Sequence, residues 1–373
     1  MPVPMLDLVA QNVVVKQKVL DGLSALTDRC TFVLGENVAG LETDMVSYSA
    51  SKFAVGMSSG TDALLVALMA LDVGHGDEVI LPSFTFFATG GVVTRLGAVP
   101  VFVDIDPVTF NATPQAIEAA ITTRTKAIMP VHLFGQLADM PKIMRIADSK
   151  GIPVIEDACQ SLGAKGWGKN AGQFGQLTGC SFYPTKNLGA FGDAGITLIR
   201  DEEALAQKAR RLRAHGMEPV YVHHEVGING RLDEFQALVL RAKLPFLEGW
   251  HKGRRKNAAW YIQRMQALSQ DDLQLPVEVV PDGRHIYNQF TVRVKRGRRN
   301  ELQAHLKARG IGSAIFYPIS LHQQPCFEYL GYKKGCLPET ERASEEVLSL
   351  PVYPEMTEAM LEEVAKSVME FFE

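Results

Sequence analysis

The chain has 373 residues, which is too long for one average domain and indicates two or three domains of about 150 residues each. Apolar residues make up 46% and charged residues 21%, so a mainly disordered or fibrous chain is excluded. The 38 basic and 42 acidic residues give a net charge of −4, whereas a nucleic-acid-binding protein more often carries a basic excess. We therefore expect a globular protein with no nucleic-acid partner.

The five cysteines are widely spaced and form no CxxC pair. This pattern indicates neither a zinc ribbon nor a disulfide framework, so no metal site is assigned. The first residues, Met1 to Pro4, show no basic or apolar signal region. No stretch approaches the roughly 18 apolar residues of a membrane span. These features are typical of a soluble, cytoplasmic protein without membrane association.

Short apolar runs alternate with helical patterns through the first part of the chain, which is the βαβ rhythm of a mostly parallel sheet with helices on both faces. The clearest helical patterns are Thr61–Leu71 and Asp139–Lys150. Two later runs, Cys180–Tyr183 and Ile196–Arg200, lie close together and indicate a local departure from strict alternation. The preceding predicted strands are Phe53–Met57, Glu78–Pro82, Val99–Asp104, Lys126–Val131 and Ile152–Glu156.

The pattern changes after a long predicted helix, Arg231–Gly253. Strands and helices then follow in an α+β order. We therefore predict an α/β large domain over residues 1–250 and a smaller α+β domain over residues 251–373. The elements predicted in the second domain are strands Tyr287–Val294 and Ser313–Tyr317, helix Arg299–Arg309, and helices near Glu339–Leu348 and Thr357–Phe372.

Neither a dinucleotide-binding G-x-G-x-x-G nor a P-loop pattern follows an early strand, which disfavours a simple dehydrogenase or NTPase. The segment around Gly60 and Thr61 instead follows a strand and opens a helix. Free N–H groups at such a helix start attract a phosphate, and Gly60 permits close approach of the backbone. The alternative for this segment is an ordinary helix N-cap.

Two further segments carry candidate chemistry. The strand that ends in Glu156 and Asp157 presents acids at a carboxyl edge, where parallel sheets bind ligands. One of the two should face the crevice, and the alternative is again an N-cap. Lys186 lies among apolar and aromatic residues, where burial lowers a lysine pKa and favours Schiff-base chemistry. Its alternative is a surface lysine on a turn.

Together, the three segments supply what pyridoxal phosphate (PLP) requires: a phosphate cup, an acid for the pyridine nitrogen and a lysine for the aldehyde. The sequence resembles the PLP-dependent sugar aminotransferases of the DegT/DnrJ/StrS type, which share the aspartate aminotransferase fold type I. The resemblance runs over nearly the whole chain. The segments that carry it are Phe32–Gly35, Gly60–Leu64, Gly76–Val79, Pro82–Phe86, Pro130–Gly135, Glu156–Gln160, Ser181–Gly189, Asn229–Asp233, Tyr317–His322 and Leu350–Pro351.

The resemblance implies catalytic roles for two residues. Lys186 would be the Schiff-base lysine that later moves a proton, and Asp157 would pair with the pyridine nitrogen. A homodimer with shared active sites is also implied. The remaining implied cofactor contacts are Gly60, Thr61 and Ser181 at the phosphate, Phe86 stacked on the ring, Gln160 near the ring hydroxyl, and Asn229 reaching the phosphate of the neighbouring subunit.

The implied reaction is ping-pong. An amino donor, with glutamate expected, loads the cofactor, and the keto group of a nucleotide-linked sugar then takes the amine for amino-sugar or surface-polysaccharide biosynthesis. Segments Gly227–Gln236 and Tyr287–Arg293 resemble members that form 3-amino sugars, so C3 is favoured over C4 by analogy alone. Phe316 stands where many relatives carry His, which affects substrate recognition. The implied candidates for donor or sugar contacts are Arg231, His285, Tyr317 and His322.

Two other functions remain open. A PLP-dependent sugar dehydratase would carry His in place of the Schiff-base lysine, so Lys186 argues against it. A regulatory member that binds PLP without turnover is disfavoured by the intact set of Asp157, Ser181 and Lys186, but the sequence does not exclude it.

Overall fold

The structure, a computed structural model, describes residues 2–373. The β-strands are β1 (Phe53–Met57), β2 (Glu78–Pro82), β3 (Val99–Val103), β4 (Thr125–Ile128), β5 (Ile155–Asp157), β6 (Lys165–Gly166), β7 (Lys169–Asn170), β8 (Leu177–Ser181), β9 (Gly195–Ile199), β10 (Leu273–Gln274), β11 (Phe290–Val294) and β12 (Val347–Leu350).

The α-helices are α1 (Leu8–Val13), α2 (Lys16–Arg29), α3 (Glu36–Ser49), α4 (Gly60–Ala70), α5 (Phe87–Arg95), α6 (Pro114–Ala119), α7 (Met140–Lys150), α8 (Glu203–Leu212), α9 (Glu234–Lys243), α10 (Leu247–Met265), α11 (Arg299–Ala308), α12 (Pro338–Glu346) and α13 (Glu358–Phe372). Short 3₁₀-helices lie at Leu133–Gly135, Leu244–Phe246, Leu321–Gln323 and Pro325–Leu330.

The central sheet consists of two groups of strands joined by parallel bridges. One group has the order β3-β2-β4 and the other β5-β8-β9-β1. Bridges between Ile128 and Val154 and between Val131 and Asp157 connect the two groups. Only β9 runs antiparallel to its neighbours, β8 and β1. The predicted mostly parallel sheet is therefore confirmed, with the local departure where the sequence indicated it.

Both faces of this sheet are covered, because successive residues of its strands enter different hydrophobic clusters. On β2, Ile80 packs in one cluster with side chains of α3 and α7, whereas Val79 and Leu81 pack in the other with those of α4 and α5. This alternation is expected of a strand buried on both sides. The predicted helix Asp139–Lys150 is capped at its start by the Asp139 side chain, which accepts the Lys142 N–H.

The predicted helix Arg231–Gly253 is wrong as a single helix. Helix α9 begins only after Asp233, and the chain then forms a 3₁₀ turn that contains Pro245 before α10 begins. Proline lacks a backbone N–H, so it favours such a break. Helix α10 also continues past the predicted end, to Met265.

The C-terminal region contains an antiparallel sheet of order β10-β11-β12, whose side chains share a hydrophobic core with those of α10, α11 and α13. This arrangement confirms the predicted α+β class. The predicted strand Ser313–Tyr317 is wrong, because only Ala314 pairs with the sheet, through an isolated bridge to Ser349.

Helix α10 connects the two hydrophobic regions. Leu247 and Trp250 pack in the core of the central sheet, whereas Tyr261 and Met265 pack in the C-terminal core. Between them, the buried Arg254 donates to the carbonyl of Val352 at 2.6 Å. Val3, near the N-terminus, also packs in the C-terminal core. A domain boundary near residue 250 stays a prediction, and it falls inside this helix.

Among residues 2–373, no helix combines the length and apolar character needed to cross a bilayer.

Candidate active site

A cavity of about 500 Å³ lies at the carboxyl ends of the central strands. Three elements meet there: the start of α4, the end of β5, and the loop that follows β8. The sequence-predicted residues that line this cavity are Gly60, Thr61, Phe86, Asp157, Gln160, Ser181, Lys186 and Tyr317.

The first turn of α4 faces the cavity. Ser59 is the N-cap, and its side chain accepts the N–H of Asp62 at 3.0 Å. The cap therefore satisfies one N–H, while the N–H groups at the very start of a helix have no intrahelical partner. A Cβ on Gly60 would lie 2.6 Å from the Cβ of Ser181, so only glycine allows this close approach. The segment is therefore a capped helix whose first turn lines the cavity, and its role as an anion cradle stays a prediction.

Glu156 and Asp157, whose orientation the sequence left open, point to different sides of strand β5. Asp157 lines the cavity, and its carboxylate accepts from the Thr89 hydroxyl at 2.8 Å and the Cys159 N–H at 3.1 Å. Glu156 is fully buried and points away from the cavity, as expected for neighbouring strand residues.

Glu156 has a structural role. His132 accepts the Ala138 N–H at Nδ1, so its Nε2–H donates to the Glu156 carboxylate at 2.9 Å. Further donors are the N–H groups of Phe174 and Gly175. Burial alone would raise the pKa of Glu156, but these hydrogen bonds outweigh it and lower the pKa. The charge of Glu156 is therefore held inside the protein, and of the two β5 acids Asp157 is the one that lines the cavity.

Lys186 is half-buried in the cavity wall. Burial lowers the pKa of its ammonium group, and the nearby Cys159 and Asp157 oppose that shift. A lowered pKa increases the fraction of Lys186 that is present as the neutral, nucleophilic amine. The surface-lysine alternative does not describe this position.

Aromatic side chains form the opposite part of the wall. Phe86 is 56% exposed, and its ring centroid lies 6.1 Å from that of Tyr317. The Tyr317 hydroxyl accepts from the Gln160 amide at 2.8 Å, and the same amide accepts the Phe134 N–H through Oε1. Gln160 and Tyr317 are thus held as a pair. Phe84, in contrast, is fully buried core.

Sequence reasoning missed two residues here. Thr89 contacts Asp157 from α5, and no motif links the two because the contact joins different elements. Cys159 lines the cavity beside Asp157, although no sequence pattern indicated a chemical role for it. Burial raises the pKa of the Cys159 thiol, and the Asp157 charge adds to the increase, so the thiol is neutral.

Four predicted site residues do not line the cavity of this chain. Asn229 and Arg231 pair with the backbone of Ala214 and Met57, respectively. The role expected for Asn229 concerns a second subunit and stays a prediction, as does the substrate role of Arg231.

The two predicted histidine contacts are buried and have packing partners instead. His285 stacks on Tyr287 at 3.9 Å and accepts its N–H at 3.0 Å. Burial, with the Arg255 charge, lowers the pKa of His285 to about 3. His322 lies between Ser83 and Glu341, and burial lowers its pKa as well. The structure therefore gives no support to a direct substrate contact by either ring.

A sequence model described as the DegT/DnrJ/EryC1/StrS aminotransferase family matches residues 15–369. The chain belongs to this family. Its predicted fold class, PLP fold type I, is confirmed by the likeness of the structure to family members of known structure.

Two curated relatives cover nearly the entire chain. A pleiotropic regulatory protein of Geobacillus stearothermophilus is 49% identical over 100% of this chain and 99% of its own. A UDP-N-acetyl-3-dehydro-alpha-D-glucosamine 3-aminotransferase of Acidithiobacillus ferrooxidans is 45% identical over 97% of this chain and 96% of its own.

A solved structure supports the cofactor. The crystal structure of ntda from Bacillus subtilis, with the cofactor PMP bound, superposes with a TM-score of 0.92 at 32% identity. It covers 100% of this chain and 85% of the other. The aminotransferase described here is PLP-dependent. Its own residues fit that cofactor, because one cavity brings together a helix N-terminus, a carboxylate and a lysine amine.

The Gly60 contact yields a test of the phosphate cradle. Gly60→Ala should displace Ser181 or the first turn of α4, because the new methyl group overlaps the Ser181 side chain. We expect PLP binding to weaken by about 1–3 kcal/mol, or roughly 5- to 160-fold. Titration of the apoenzyme with PLP, followed by absorbance, measures this. Gly74→Ala is the control, since a Cβ there meets nothing within 4 Å; equal affinity in both variants would contradict the cradle.

His285 yields a test by pH. Its folded pKa of about 3 lies below the ordinary 6.5, so the unfolded chain binds the extra proton between these values. The contribution of His285 to the free energy of unfolding is present above pH 6.5 and is lost as the pH falls towards 3. His285→Asn keeps an acceptor for the Tyr287 N–H but does not titrate.

In urea unfolding across that range, we expect wild type to lose about 1.4 kcal/mol per pH unit more than the His285→Asn variant. His75→Asn, at an exposed position, is the control and should match wild type. Equal slopes for wild type and His285→Asn, together with lost turnover in the variant, would restore the substrate-contact role.

Proposed function

We propose that this aminotransferase moves an amino group from glutamate to the C3 keto group of a nucleotide-linked sugar, in amino-sugar biosynthesis. The observation that carries the proposal is the placement of Lys186 and Asp157 in one cavity wall. The substrate class is supported by the relative that acts on a UDP-linked 3-dehydro sugar at 45% identity. A dehydratase is disfavoured because Lys186 is present.

Each cavity residue has a defined task in this proposal. PLP, when bound, supplies an aldehyde and an electron-withdrawing ring. Lys186 would hold the cofactor, take the proton from the donor carbon that loses the amino group, and deliver a proton to the sugar carbon that receives it. Asp157 keeps a negative charge near the ring nitrogen, and Thr89 orients that carboxylate. The start of α4, together with Ser181, binds the phosphate.

Substrate choice depends on the aromatic wall. Phe316 and Tyr317 both line the cavity, and their ring centroids are 5.9 Å apart. Phe316 offers an apolar face where an imidazole would offer a hydrogen bond. We therefore assign to Phe316 a part in selecting the sugar, and to Tyr317 a substrate or cofactor contact.

We also propose a homodimer in which Asn229 completes the partner's site. The segment that leads to Asn229 exposes several apolar side chains: Val220 at 68%, Tyr221 at 88% and Val226 at 92%. Exposed apolar side chains of this kind are typical of an interaction surface. Sedimentation velocity should give the mass of two chains, and a single-chain mass at all micromolar concentrations would contradict the shared site.

Lys186→Ala tests the central role. The variant should lose turnover, because no other amine lines this cavity among residues 2–373, while its urea midpoint stays near that of wild type. Lys169→Ala, at an exposed position, is the matched control and should keep full activity. Turnover in Lys186→Ala equal to that of wild type would refute the assignment.

A substrate panel tests the sugar. The holoenzyme is given glutamate and either 3-keto or 4-keto nucleotide sugars, and mass spectrometry detects the amino-sugar product. The proposal expects product from a 3-keto sugar. Product from 4-keto sugars alone would move the reaction to C4.

The second candidate is a PLP-binding regulator, favoured by the name of the Geobacillus relative. Bound-cofactor absorbance that glutamate leaves unchanged, with no product from any sugar, would support that candidate instead.

A further inference from the structure

Three potential metal ligands meet outside the cavity wall. They are His322, on the 3₁₀-helix Leu321–Gln323, Cys336, in the turn before α12, and Glu341, in the first turns of α12. Their ligand atoms all lie within 4.8 Å of one another. No local sequence pattern indicates this group, because its members are widely and irregularly spaced.

The spacing of these atoms suits a small tetrahedral ion. His322 Nε2 lies 3.3 Å from Glu341 Oε1. Bonds of about 2.0–2.3 Å from zinc to N, O and S place neighbouring ligand atoms roughly 3.3–3.6 Å apart. The imidazole and carboxylate are therefore already at ligand spacing. Cys336 is exposed, so rotation of its side chain can close the remaining distance without disturbing a packed core.

Surrounding contacts hold the first two ligands in place. The other ring nitrogen of His322, Nδ1, lies 2.7 Å from the Ser83 hydroxyl, which is the kind of outer partner that orients a ligating histidine. Glu341 accepts the Gly335 N–H at 2.7 Å. The start of its helix is fixed by Asp104, whose carboxylate accepts the Thr340 N–H at 2.7 Å.

We propose that His322, Cys336 and Glu341 bind Zn²⁺, with a water molecule as fourth ligand. Mixed N, S and O donors favour a borderline divalent ion over Mg²⁺ or Ca²⁺. Coordination breaks the S–H bond of Cys336, and the proton goes to solvent. The imidazole binds in its neutral form with its proton on Nδ1, towards Ser83, so one proton is released per ion.

The ion has a structural task. None of the three residues lines the cavity, so the site does not depend on the amination proposed above. It would tie the turn at Cys336 to the segment that follows Tyr317. Because the backbone of His322 also donates to Ser83 at 3.0 Å, the tie extends to the end of β2.

Isothermal titration of the PLP-loaded enzyme with Zn²⁺ tests the site. Wild type should bind one ion with release of one proton, measured by repeating the titration in buffers of different ionisation enthalpy. Cys336→Ser should weaken binding at least about tenfold. Cys326→Ser removes another exposed thiol and is the matched control, expected to bind as wild type does.

Thermal unfolding gives an independent readout. Zn²⁺ should raise the melting temperature of wild type and Cys326→Ser but not that of Cys336→Ser. Turnover of Cys336→Ser without Zn²⁺ should equal that of wild type, so failure of the zinc site is distinguishable from failure of the proposed function. The proposal is overturned if wild type shows no one-to-one binding, or if Cys336→Ser binds with unchanged affinity.

Discussion

Close packing between the first turn of α4 and the β8–β9 pair determines where the other groups of the site can lie. Gly60 touches Ser181, and a Cβ on Gly195 would lie 2.3 Å from the backbone of Ser59. Neither position tolerates a side chain at this distance. The helix N-terminus therefore shares one wall with Ser181 and with the loop that carries Lys186. The absence of side chains at Gly60 and Gly195 thus allows a helix N-terminus and a lysine amine to lie in one wall.

The polar groups of β5 show how a buried sheet edge carries charge. An isolated carboxylate is costly to bury unless donors surround it. Glu156 has backbone and imidazole donors inside the protein, whereas Asp157 has the Thr89 hydroxyl and the Cys159 N–H at the cavity. Of these two successive strand residues, Glu156 is therefore a structural carboxylate, and Asp157 is the one that a ligand in the cavity can contact. Exchanging their positions would leave both without matching donors.

Local signals predicted much of the fold. Apolar runs located β1 and β2 with their observed bounds, because strands buried on both faces produce continuous apolar sequence. The predicted strand Ser313–Tyr317 failed because β propensity does not show whether a partner strand is available. The predicted helix Arg231–Gly253 failed because Pro245 lies within it, and proline favours a break at that point.

The residues of the site also fall into two groups: those that local sequence indicates and those that only the tertiary structure shows. Local sequence indicated Lys186 and the pair Glu156 and Asp157, and the resemblance selected Asp157. Lys186 and Asp157 line one cavity, while their catalytic roles stay predictions. His285 and His322 were chosen by residue type and by resemblance, and burial among packing partners decides their environment. Contacts between distant elements, such as Thr89 with Asp157, follow only from the tertiary arrangement.

Helix α10 has a consequence for how the chain can be divided. Its 19 residues form a rod of about 28 Å whose two ends are embedded in different cores. The opposite end of the chain makes a second tie, since Val3 donates to the Gly310 carbonyl and accepts the Gly312 N–H. A fragment that stops at residue 250 would leave the N-terminal segment without its pairing partner. We therefore expect the two regions to fold together and not as separately expressed fragments.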